Sequence, residues 1–189
     1  RQMCIRDRKQ PFHLRCSILY CFECFLYRNE KAKSDIVETL LPNQSTANDQ
    51  VNSGQILCSG LFNQHDFISN WLCAVAMSHT INENNQLKEH LLRVQFANVN
   101  SNQSSQPVSL MQQCMLILIE STSAVSADQA SATSSNSTAQ TTQNRNKLQT
   151  TVAMLMFLST WLSNCPMAVN YFLAHPQNIP YVIDLKNIA

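Results

Sequence analysis

The chain contains only two glycines, Gly54 and Gly60, among its 189 residues. Hairpin turns, dinucleotide-binding loops and phosphate-binding loops all use glycine where the backbone takes a positive φ angle. The sequence contains neither a G-x-G-x-x-G nor a G-x-x-x-x-G-K pattern. We therefore predict an all-α protein.

Apolar residues recur at helical spacing through most of the chain. Leu14, Ile18, Cys21 and Phe25 form one stripe with further apolar residues around it, which predicts a buried helix over 12–28. Asp35 and Glu38 have capping-box spacing, and Pro42 ends the segment that they open. Further helices are predicted over 34–41 and 86–97, from about Ser53, from about Asp66, and from Pro107 to about Glu120. Two more are predicted after these, one from Lys147 to Leu162 and one that begins at Pro166.

A repeat underlies these segments. Three times an apolar helix meets a break that contains an asparagine, at Asn29, Asn84 and Asn164, and an amphipathic helix follows. An apolar pair follows each asparagine at the same distance: Ile36/Val37, Leu91/Leu92 and Tyr171/Phe172. Stacked helical pairs or triplets with variable loops are typical of an armadillo- or HEAT-like solenoid.

Two segments differ from the rest in composition. Residues 121–146 contain no aromatic residue and one valine, which predicts a disordered insertion rich in Ser, Thr and Asn. A linker between two domains is the alternative. Residues 1–8 are polar and lack a helical stripe, so we interpret them as an artefact or a non-native leader, and 9–189 as one piece of a longer solenoid.

The chain offers few signs of nucleic-acid or membrane binding. Its formal net charge is +1, so no general electrostatic attraction to nucleic acid is expected. The longest uninterrupted apolar run, from Val152 to Leu158, is too short for a transmembrane helix. Most of the eight cysteines lie in or beside apolar runs, which favours reduced thiols in a cytosolic protein over a disulfide framework.

Cys21 and Cys24 form a C-x-x-C pair that resembles half of a zinc site or a redox motif. Structural zinc needs four ligands, and the nearest histidine before the pair is His13, with none after it until His65. A redox pair would lie at a helix N-terminus, whereas this pair lies in the middle of a predicted helix. We therefore predict that both cysteines pack in the core, and we predict no metal and no cofactor.

Cysteine–histidine pairs could in principle support nucleophilic catalysis. Cys73 with His79 and Cys165 with His175 are the candidates. Such pairs arise by chance in a chain with eight cysteines and five histidines. We predict no catalytic residue and no enzymatic activity.

Tryptophan is enriched in protein-binding hot spots, so Trp71 and Trp161 are candidate partner-binding residues. Both lie beside apolar stripes, and we interpret both as core. Lys88, Glu89 and Arg93 have mixed sign and are predicted to form a solvated face.

Seven phrases of the sequence, in order, resemble the general vesicular transport factor family of Golgi vesicle-tethering proteins. Together they cover most of residues 11–183 apart from the loops, whereas residues 1–8 do not match and 121–146 is longer than the connection expected there. The phrases are "PFHLRCSILYCFECFLYRN", "SDIVETLLP", "SGQILCSGLF", "SNWLCAVAMSHTINEN", "QLKEHLLRVQ", "PVSLMQQC" and "STWLSNCPMAVNYFL".

The resemblance implies an internal part of the armadillo-like globular head of a non-enzymatic tether. That tether acts in endoplasmic-reticulum-to-Golgi and intra-Golgi vesicle transport, docking and membrane fusion. The implied partners are a Rab-type small GTPase, golgins, SNARE proteins and the conserved oligomeric Golgi tethering complex. The full-length protein is implied to be a homodimer, cytoplasmic and peripheral on Golgi and vesicle membranes. No partner-binding residue can be assigned by resemblance. Another cytosolic armadillo-type adaptor is the alternative.

Overall fold

The computed structural model describes residues 11–41, 52–63, 65–96, 107–130 and 138–188, and it describes only the backbone of 123–130, 138–144 and 184–188. Within these residues the chain forms nine helices and one pair of short strands. In chain order they are α1 Phe12–Leu26, α2 Glu30–Glu38, α3 Ser53–Leu61, α4 Phe67–Ile81, α5 Asn85–Leu91, β1 Gln95–Phe96, β2 Val108–Ser109, α6 Leu110–Ala130, α7 Thr138–Leu162, α8 Pro166–Leu173 and α9 Asn178–Ile188.

The helices stack in successive layers. The long helix α4 packs against α1 on one side and α7 on the other, and the short helix α5 packs against both α2 and α8. Among the described side chains, buried apolar residues from α1 to α8 form one continuous core along this stack, with Tyr181 of α9 packed against it. The prediction of a helical solenoid is therefore confirmed.

Each layer contains a long helix followed by a short one: α1 and α2, α4 and α5, and α7 and α8. The same backbone turn, or corner, joins the two helices in all three layers. Arg28, Glu83 and Asn164 have positive φ angles of 53°, 59° and 54°. The amide of the next residue then donates to a carbonyl in the last turn of the long helix: Asn29 to Leu26, Asn84 to Ile81, and Cys165 to Leu162. The asparagine-containing breaks in the sequence are thus equivalent corners of three layers.

The third corner corrects the register of the predicted repeat by one residue. Asn164 is itself the left-handed residue, whereas Asn29 and Asn84 follow theirs and cap the next helix through their side chains. The residue equivalent to these caps is Cys165. Asparagine is tolerated both in the left-handed region and at helix N-caps, so its identity alone could not fix the register.

Several helix boundaries differ from the sequence prediction. Helix α2 begins at Glu30, capped by Asn29, so Asp35 and Glu38 form no capping box at its start. Asn52 caps α3 with Gln55 completing the capping box, whereas Asp66 caps α4 as predicted.

The segment around Pro107 also differs from the prediction. Helix α5 ends at Leu91, and Gln95–Phe96 then pairs antiparallel with Val108–Ser109, which follows Pro107 directly. In the part of the chain that the structure describes, the fold is therefore helical except for this two-stranded ribbon. An edge-to-face contact between Phe96 and Phe62 packs the ribbon on the end of α3.

Helices α6 and α7 reach into the polar tract 121–146 that composition predicted to be disordered. Residues 121–130 continue α6 and 138–146 begin α7, while 131–137 lie outside the described residues. The tract contains neither glycine nor proline, so nothing in it breaks a helix. Ser121 is buried and its hydroxyl lies 2.9 Å from that of Thr151, so this polar pair joins α6 to α7.

Helix α1 is less buried than its apolar sequence predicts. When the layers are aligned at their corners, Phe25 is equivalent to Thr80 and Trp161, both 0% exposed, yet Phe25 itself is 58% exposed. Leu14 and Cys21 are exposed too, although the residues equivalent to Cys21, Ala76 and Phe157, are fully buried. This side of α1 therefore corresponds to the surface that α4 and α7 use to contact the preceding layer.

Candidate functional site

Cys21 and Cys24 lie in the middle of α1 with both side chains exposed. The prediction that they pack in the core is therefore wrong, because no described layer covers that side of α1. Within the described residues, no three His, Cys, Asp or Glu side chains come together as metal ligands would. The pair has neither the four ligands of structural zinc nor the helix N-terminus that activates a redox thiol.

In each candidate cysteine–histidine pair, the two side chains lie in different surroundings. Cys73 is buried, and its sulfur lies against Gly60 of α3, whereas His79 is exposed and its Nε2 lies 3.3 Å from Oε1 of Glu23. Cys165 is buried at the start of α8, whereas Nε2 of His175 lies 3.3 Å from Nε2 of Gln112. Neither histidine is therefore positioned to act as a base toward the cysteine of its pair.

Buried thiols in the core are poor nucleophiles. Burial, with a smaller contribution from Cys73, raises the pKa of Cys58 to about 12. Burial also raises the pKa of Cys114, with Cys58 adding to the effect. Both thiols stay protonated at neutral pH, and the thiolate is the reactive form.

The two tryptophans occupy opposite environments. Trp161 is 0% exposed and stacks obliquely on Phe157, with ring centroids 5.5 Å apart, which confirms its assignment to the core. Trp71 is 38% exposed, so its assignment to the core is wrong. It belongs to α4, which has a layer on each side, so a missing layer does not account for its exposure.

Trp71 lines an open cavity of about 400 Å³ where α1, α4 and α7 meet. We call this cavity the Trp71 groove. Its lining is mostly aromatic and aliphatic: Phe12 of α1, Phe67, Ile68 and Trp71 of α4, and Gln149 of α7. Phe12 is 59% exposed, so the groove opens to solvent. The signal that could have found it is the recurrence of Phe12 and Phe67 at equivalent positions of successive layers.

A buried polar cluster fixes the ends of α1 and α4 beside the Trp71 groove. The Arg15 guanidinium donates to Ser69 Oγ at 2.7 Å and lies 3.5 Å from the Asp66 carboxylate. Ser69 Oγ donates to the same carboxylate at 2.6 Å, and Asp66 also caps α4. Because a buried ion pair is costly to break, this cluster holds Phe12 and Phe67 in a fixed relation.

One polar atom in the Trp71 groove lacks a partner. Oε1 of Gln149 is buried and accepts no hydrogen bond from any described residue. Arg145 is exposed and lies one turn before it on the same side of α7. Lys147 is half-buried on the other side of the helix, one turn before Thr151, which faces α6.

Lys88 was predicted to face solvent with Glu89 and Arg93, and for Lys88 that prediction is wrong. Its side chain is 3% exposed and donates from Nζ to the carbonyl of Ser163 at 2.6 Å, while Glu89 and Arg93 are exposed. A lysine with its ammonium group on a helix end is favoured by the helix dipole. The residue therefore joins two layers.

These features define a class of protein: a helical-repeat scaffold with an apolar groove and with no described catalytic or metal-binding cluster. None of the described helices is both long enough and apolar enough to cross a bilayer.

The sequence matches a family more specifically. Residues 2–187 match the family described as Uso1 / p115 like vesicle tethering protein, head region, and the chain belongs to this family. The match begins at residue 2, so it includes most of the segment that we set aside as a non-native leader. The chain is 44% identical over 181 residues to the general vesicular transport factor p115 of Homo sapiens, and equally to those of Bos taurus and Rattus norvegicus. The alignment covers 95% of this chain and 16% of each relative, so the chain spans about a sixth of their length.

Proposed function

We propose that this protein tethers transport vesicles in traffic from the endoplasmic reticulum to the Golgi and within the Golgi, and that the described segment is part of its protein-binding head. The observation that carries the proposal is the 44% identity, over almost the whole chain, to proteins named as vesicular transport factors. The stacked layers support it, because a rigid helical solenoid presents extended surfaces to partners.

The proposed mechanism requires no chemical step. A tether that binds a vesicle and a target membrane together raises the local concentration of the proteins that fuse them. The protonated, buried thiols of Cys58 and Cys114 are consistent with a non-enzymatic role. The full-length protein acts as a homodimer, peripheral on Golgi and vesicle membranes. Its partners are a Rab-type small GTPase, golgins, SNARE proteins and the conserved oligomeric Golgi tethering complex.

Depletion of the protein followed by rescue tests the transport step. A cargo released synchronously from the endoplasmic reticulum should reach the Golgi more slowly in depleted cells, and the full-length protein should restore the rate. Unchanged cargo arrival after complete depletion would overturn the proposal.

A pull-down from Golgi membranes tests the role of this segment. Full-length protein is compared with a form that lacks residues 11–183, and the captured proteins are probed for the four proposed partner classes. We expect the shortened form to lose at least one of them. Capture of the same partners by both forms would remove the binding role from this segment.

A further inference from the structure

We draw no further inference here: the strongest candidate, the exposed side of α1 formed by Leu14, Cys21 and Phe25, is an unpartnered apolar face, and nothing in the structure shows what covers it.

Discussion

The side chains of Lys88 and Trp161 join α5 to α7 by two hydrogen bonds that run in opposite directions. The indole Nε1 of Trp161 donates to the carbonyl of Lys88 at 2.8 Å, and Nζ of Lys88 donates to the carbonyl of Ser163 at 2.6 Å. The two bonds join α5 to the end of α7 through the side chains of Lys88 and Trp161, which are almost fully buried.

Replacement of Lys88 tests this link. Lys88→Ala should lower the free energy of unfolding by about 1–3 kcal/mol, because it removes a charge-assisted bond and the packing of the lysine stem. Urea unfolding followed by circular dichroism measures the change. Glu89→Ala, on the exposed neighbour, should stay within about 0.5 kcal/mol of the wild type. Equal effects of the two substitutions would show that Lys88 contributes no more than a surface residue.

The two tryptophans should differ sharply in their contribution to stability. Trp161→Ala leaves a cavity in the core and an unpaired Lys88 carbonyl, so we expect a loss of about 3–5 kcal/mol. Trp71→Ala should cost much less, because the Trp71 side chain is already partly in solvent. Thermal melts of both variants measure the difference. A larger loss for Trp71→Ala would contradict the assignment of Trp161 to the core and Trp71 to the groove.

The buried thiol of Cys58 should make stability depend on alkaline pH. Burial raises its pKa from 9.0 to about 12 in the folded protein, while the unfolded chain keeps the ordinary value. Unfolding therefore releases a proton between these values, and the contribution of Cys58, complete below pH 9, is lost as the pH rises toward 12. The urea midpoints of the wild type and Cys58→Ala should therefore move closer together between about pH 8 and pH 10.5. A constant separation would show that Cys58 ionises equally in both states.

The exposed side of α1 should make the isolated chain self-associate. Cys21 and Phe25 present to solvent two positions whose equivalents in α4 and α7 are fully buried, and Leu14 is exposed on the same stripe. Exposed apolar patches of this kind mark interaction sites. Phe25→Lys should reduce the weight-average molar mass measured by sedimentation equilibrium at high protein concentration. Arg93→Ala, at an exposed polar position, should not reduce it. A wild-type chain that remains a monomer at high concentration would contradict this prediction.

The sequence predicted those features that depend on local pattern. Scarce glycine and helical spacing predicted the helices, Asp66 was predicted as a cap, and the breaks at Asn29 and Asn84 located two corners. The exposure of side chains depends instead on which layer packs where. Helical spacing cannot show that Trp71 is exposed and Trp161 is buried. The residues around Lys88 in the sequence do not show that its side chain turns inward toward Ser163.

The candidate site was missed for the same reason. Phe12, Trp71 and Gln149 lie far apart in the chain and meet because three layers stack in register. Each residue alone is consistent with the core. The repeat relates Phe12 to Phe67, but the equivalent residue of the third layer is Leu148, which does not stand among the lining residues, so the repeat alone does not predict the cavity.

The three corners carry a consequence for stiffness. Arg28, Glu83 and Asn164 hold left-handed torsions without glycine, and neither Gly54 nor Gly60 has a positive φ. A non-glycine residue there gives up about 1–2 kcal/mol relative to a right-handed conformation. Such a residue also has far fewer alternative backbone torsions than glycine, so the angle between the two helices that it connects varies little. The angle between the long and the short helix of each layer is thus set largely by one confined backbone conformation, and a glycine at any of the three positions would let that angle vary.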